Sequence, residues 1–187
     1  FFNSKYKYDY IFDLHKQDGY FPMKSENAKG YSVKDIKEFY HIYLPWGRIP
    51  DNLSENTLLI RKELKDIGIT LLSWIDDLTP DNVKNNFSIQ LQNMVDGSIT
   101  NLLRIIHYPP LRDDDDKKAL RAAAHEDINL ITILLSGSKP GLQVKDTENK
   151  WVDVKSDYGS LVVNIGDMLQ ECSKGYYPST THRVINP

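Results

Sequence analysis

The chain has 187 residues with 23 basic and 26 acidic side chains, a formal net charge of −3, and its length suits one domain that buries roughly 70% of its unfolded surface. Basic residues are outnumbered and scattered, which excludes the electrostatic footprint of a nucleic-acid binder, and apolar runs are interrupted within a few residues, which leaves no membrane span or signal-peptide core. The lone cysteine, Cys172, permits neither an intrachain disulfide nor a cysteine-based zinc site, and a reducing, cytoplasmic setting is the expectation.

In chain order, Gly19, Pro22 and Gly30 predict irregular chain at the start. A short helix is expected from Ser32, where Val33, Ile36, Phe39 and Tyr40 fall on one helical face. A longer one runs through Ile60, Leu64, Ile67, Leu71, Trp74, Ile75 and Leu78 and ends at Thr79-Pro80-Asp81. From about Ile99 the pattern changes to short β-branched or apolar runs at 102–108, 128–135, 141–144, 151–154 and 160–165, divided by Gly, Pro, Asp and Lys. Such spacing predicts a sandwich or barrel. The fold class read from these elements is mainly β with flanking helices: a mostly helical part over 1–98 packed against a β core over 99–187, within one domain spanning 1–187.

Chemistry concentrates at His125-Glu126-Asp127, beside the most apolar strand. In an extended segment residues i and i+2 share a face, so His125 and Asp127 point one way and Glu126 the other. A second imidazole, His182, lies far enough along the chain for a sandwich to be crossed and recrossed. Two histidines and one carboxylate on one face of an iron leave three positions open, the arrangement of non-haem Fe(II) oxygenases. His15, His41 and His107 have no ligand-like spacing and are read as surface or hydrogen-bonded residues. Asp113 to Asp116 lacks the alternation of a calcium loop and is read as solvated chain. Asn164, Gly166 and Asp167 are read as a strand-end turn in which glycine supplies backbone freedom. Arg183, beside His182, is assigned to structure.

The flanks carry a resemblance. LLRIIHYPP at 102–110, HEDINLITILL at 125–135, GLQV at 141–144, WVDV at 151–154, VVNIGDMLQ at 162–170 and HRVINP at 182–187 follow one another in an order and spacing that closely resembles the isopenicillin N synthase-like branch of the 2-oxoglutarate and Fe(II)-dependent oxygenases. The resemblance implies a double-stranded β-helix, a jelly-roll core with helices outside. It implies Fe(II) held by His125, Asp127 and His182, with 2-oxoglutarate and dioxygen as co-substrates. The expected reaction oxidises a small molecule by hydroxylation, desaturation or ring closure, with succinate and CO2 formed.

Tyr108 matches the family tyrosine that contacts the co-substrate, while Ile106 stands where plant members usually have Asn. Strand alternation puts Arg104 on Tyr108's face, where it could meet an anionic substrate or form a rim salt bridge. The family's Arg-x-Ser pair, in the strand after the distal histidine, would lie beyond Pro187, and the family's first strand would lie before Phe1. The sequence is accordingly expected to be the ordered part of a longer chain. Three alternatives stay open: an iron oxidase of the isopenicillin N synthase type that uses no 2-oxoglutarate, a non-catalytic jelly-roll binding protein, and a zinc hydrolase.

Overall fold

The computed structural model describes residues 1–27, 30, 32–155 and 157–187. After a 3-10 turn at Lys5–Tyr10, the chain forms strands β1 (Gly19–Phe21) and β2 (Glu38–Tyr43), then helices α1 (Glu55–Leu78), α2 (Asp81–Lys84) and α3 (Leu91–Val95). Six strands follow: β3 (Leu102–His107), β4 (Ala122–His125), β5 (Ile131–Leu135), β6 (Leu142–Lys145), β7 (Trp151–Asp153) and β8 (Leu161–Ile165). Helix α4 (Asp167–Cys172) and strand β9 (His182–Val184) complete the order.

The five β runs expected after Ile99 each contain a strand, with boundaries shifted by at most a few residues. The helix expected from Ser32 does not form; Glu38–Tyr43 is instead the middle strand of a β1-β2-β3 sheet. Its first five residues are buried, so apolar side chains occur on both faces and mimic helical spacing. On one face Tyr20, Tyr40 and Ile42 pack with Phe1, Phe2, Tyr10, Leu103 and Ile105. On the other, Phe12, Phe21 and Phe39 stack in series, and Arg104 lies over the Phe39 ring. The register pairs His41 with Arg104 and Phe39 with Ile106, as strand alternation requires.

Helix α1 starts where the Ser54 hydroxyl accepts the amide of Asn56 at 3.3 Å and ends at Leu78, with Thr79 as its C-cap. Its buried residues are Gly68, Leu72 and Asp76, whereas Ile60, Ile67, Trp74 and Leu78 of the predicted face are exposed. Leu and Ile residues are distributed around much of this helix, so spacing alone does not choose the face. Packing does: Leu72 meets Leu91, Leu130 and Leu169, and Gly68 admits the Ile133 side chain.

A four-stranded sheet, β4-β9-β6-β7, and a two-stranded sheet, β5-β8, make up the double-stranded β-helix. The Leu72–Leu91–Leu130–Leu169 core ties helices α1, α3 and α4 to the loop into β5 and to the β5-β8 sheet through Ile131 and Ile165. Among the described residues no helix is long and apolar enough to cross a membrane.

Candidate active site on paired strands

Strands β4 and β9 run antiparallel with His125 directly opposite His182, so the two imidazoles leave the sheet side by side, their ring centroids 4.4 Å apart. Asp127 follows two residues after β4 and completes a cluster whose ligand atoms all lie within 4.8 Å of one another. The two Nε2 atoms are 3.9 Å (His125) and 3.8 Å (His182) from Asp127 Oδ1, too far for hydrogen bonds. Nδ1 of His125 lies 2.7 Å from the Ala123 carbonyl, and Nδ1 of His182 lies 3.0 Å from that of Thr180. A carbonyl oxygen only accepts, so each Nδ1 carries a proton, and in the neutral imidazole Nε2 is then the atom that keeps its lone pair.

These residues fit a divalent metal. Both imidazoles are oriented by backbone carbonyls, and Asp127 Oδ2 is buried with no hydrogen-bond partner among the described residues, a costly arrangement without an ion. Burial pushes the His125 imidazole below its ordinary range, against the opposing pull of the Ala123 carbonyl and the Asp127 carboxylate. The lone pair that a metal needs is therefore available at neutral pH.

Two backbone features set the ligand positions. On β4, Ala122 pairs with Val184 and His125 with His182, three steps against two, which is a β-bulge. Asp127 is held by helix α4: the amide of Asp167 donates to the Asp127 carbonyl at 2.7 Å, and that of Met168 to the Ile128 carbonyl at 3.1 Å. Glu126 points away from the ligand cluster and accepts the Thr181 hydroxyl. A surface depression of about 580 Å³, lined by Glu126, Asp167, Met168 and Glu171, includes none of the three candidate ligands.

Tyr108 lies one residue beyond β3 and is partly buried; burial pushes its phenol up to about 12. Arg104 donates from Nε to His41 Nε2 at 2.8 Å and lies 3.5 Å from Glu26 through Nη1, so a salt bridge does form at this position. His107 meets Glu38 at 2.7 Å, and the His41 Nδ1–H donates to the Gln17 carbonyl at 2.9 Å. Arg183 stacks over Trp151 at 4.0 Å and bonds Gln143. Within the acidic run, Asp115 caps the Arg112 amide and pairs with Lys24.

Sequence reasoning passed over Asp35 and Lys37, which are 3% and 5% exposed and paired at 2.9 Å. The available signal was the alternation of Asp35 and Lys37 around Ile36, charges at i and i+2 beside the apolar run that follows.

Fold and site together define a jelly-roll protein with a two-histidine, one-carboxylate cluster that could hold a metal ion. The model of the 2OG-Fe(II) oxygenase superfamily matches residues 99–187. A 2-oxoglutarate-dependent dioxygenase of Monascus ruber is 42% identical over 87 residues, 45% of this chain and 26% of that protein. The crystal structure of a candidate oxygenase from Shewanella oneidensis superposes with a TM-score of 0.86 and 52% identity, covering 100% of this chain and 66% of that one. A full-length Neurospora crassa protein, crystallised with alpha-ketoglutarate (2-oxoglutarate) and thymine, superposes with a TM-score of 0.75 and 26% identity over 98% of this chain and 62% of its own. The chain belongs to the 2-oxoglutarate/Fe(II) oxygenase superfamily. It spans about a quarter of the curated Monascus relative and about two thirds of the two solved chains.

Proposed function

We propose that the chain carries the iron centre of a 2-oxoglutarate-dependent dioxygenase acting on a small molecule, with Fe(II) held by His125 Nε2, Asp127 and His182 Nε2. The convergence of the three donor atoms, with both Nδ1 protons tied to carbonyls, carries this reading. Bound Fe(II) would couple oxidative decarboxylation of 2-oxoglutarate, giving succinate and CO2, to oxidation of a substrate C–H bond, dioxygen being the oxidant. Hydroxylation, desaturation and ring closure are all within this chemistry. Backbone carbonyls orient the two imidazoles, and side chains would bind the acid. Tyr108, a neutral phenol with no hydrogen bond to another described residue, would donate to the co-substrate. Arg104, whose side chain is about one-third exposed, would contact an anionic substrate in competition with Glu26. A lone partly buried thiol, Cys172, supports a reducing cytoplasmic setting.

The test is anaerobic titration of Fe(II)-loaded protein with 2-oxoglutarate. The expected result is a weak visible charge-transfer band that is absent in His182→Ala. Bound iron without a band would favour an oxidase that draws its electrons from the substrate. Absence of iron binding would overturn the metal assignment.

A further inference from the structure

We propose that Asp35 is a positioning residue for the metal centre: its carboxylate clamps Ala123 at the β4 bulge and thereby sets the orientation of His125. The inference rests on the metal assignment above and extends it to a residue outside the ligand set.

A bulge puts one extra residue into a strand and leaves backbone groups that the ladder cannot pair. Here the extra residue falls between Ala122 and His125. The amide of Ala123 leaves the ladder and donates to Asp35 Oδ1 at 3.0 Å in a buried bond. The carbonyl of the same residue accepts the His125 Nδ1 proton at 2.7 Å. Ala123 is thus held at one end by Asp35 and holds the imidazole with the other. Nearby, Ile36 donates its amide to the Leu120 carbonyl at 2.8 Å, so the segment before β2 is stitched to the approach of β4 at two points.

The remaining contacts fix Asp35 itself. Its Oδ2 meets Lys37 Nζ at 2.9 Å, and that ammonium meets Glu26 Oε2 at 2.7 Å. A buried ion pair contributes little net stability compared with apolar packing; what this one adds is a charged acceptor aimed at a single amide. Relaxing the bulge by one residue would turn His125 away from His182, because a one-residue slip exchanges the two faces of a strand. The Asp35 bond opposes that slip.

Two double variants isolate the acceptor. Asp35→Asn/Lys37→Met keeps a carbonyl facing Ala123 and removes both buried charges; Asp35→Leu/Lys37→Met removes the charges and the acceptor. Both are made in the intact protein and titrated with Co(II), and the hyperfine-shifted, exchangeable ring N–H signals of the Co(II) form are recorded. The Leu variant is expected to bind Co(II) roughly 10- to 100-fold more weakly than the Asn variant and to lose one of two such signals to solvent exchange. Equal affinities with both signals intact would overturn the inference, even if the Leu variant melted earlier. Should the Leu variant not fold, hydrogen exchange in the unaltered protein decides: a protected Ala123 amide supports the clamp and a freely exchanging one overturns it. Failure of the unaltered protein to bind Co(II) would instead remove the metal assignment on which the inference stands.

Discussion

At the residue scale, His41 shows how a histidine outside the site is committed to one protonation state. It is 5% exposed, gives its Nδ1 proton to the Gln17 carbonyl and accepts from Arg104 Nε at its other nitrogen. A second proton would displace the Arg104 bond and face a guanidinium. Burial, reinforced by Arg104, lowers its pKa to about 4. The unfolded chain takes up this proton near pH 6.5, so between about pH 6.5 and 4 the unfolded state binds more protons than the folded one. His41 therefore contributes stability above that window that is lost as pH falls through it, on the order of 3 kcal/mol. His41→Gln, which retains one donor and one acceptor, is expected to flatten the loss of urea-unfolding stability between pH 7 and 4; parallel profiles would show that His41 does not titrate as described. Tyr108 is the complementary case, a phenol whose pKa burial pushes further up, to about 12, so that it remains a donor. Tyr108→Phe would remove the hydrogen bond proposed to the co-substrate, worth about 1 kcal/mol, and is expected to raise the 2-oxoglutarate concentration for half-maximal turnover about fivefold. An unchanged requirement would place the co-substrate elsewhere.

At the element scale, helix α4 matters more than its six residues suggest. Its N-terminal amides take the carbonyls of the Asp127–Ile128 backbone, and this close approach explains Gly166. Its φ of −105° and ψ of 174° are extended and open to any residue, so the turn-type freedom expected from the sequence is not what requires glycine. Space is: a Cβ would lie 2.8 Å from the Asp127 carbonyl oxygen and 2.7 Å from Asn129 Oδ1, and would meet the Asn129 carbonyl as well. Gly166→Ala is expected to cost about 1–3 kcal/mol of stability and to weaken Co(II) binding by moving Asp127. Thermal unfolding with a metal titration checks both, and an unchanged affinity would show that the loop yields without disturbing its ligand. The same contrast governs what the sequence reveals of the elements. Strands β5 to β8 are legible because β-branched runs bounded by turn residues are local signals. The true buried face of α1 and the strand character of β2 depend on which neighbours arrive, and local spacing contains no information about those partners.

At the scale of the whole molecule, the site divides along the same line. His125 and Asp127 are legible as an i, i+2 pair on extended chain, and His182 as a second imidazole within a resembling motif. That His182 stands opposite His125 is a consequence of β9 lying between β4 and β6, and Asp35 enters only because the segment before β2 reaches β4. The ligand cluster is consequently a tertiary cross-link in waiting: β4 and β9 are far apart in sequence, and an ion held by both would bind the folded chain and not the unfolded one. Such a ligand stabilises by mass action, by about 2.7 kcal/mol at a hundredfold excess over its dissociation constant. Co(II) at that excess is expected to raise the unfolding midpoint of the unaltered protein but not of His182→Ala. 2-Oxoglutarate is expected to add a further increment only when metal is present, because in the proposed site the acid would be anchored on the ion rather than on the chain alone. A rise with 2-oxoglutarate in metal-free protein would mean that side chains supply a complete acid site. An equal metal-induced rise in His182→Ala would mean that the stabilising ion sits elsewhere, and that the convergence of β4 and β9 serves the fold rather than the metal.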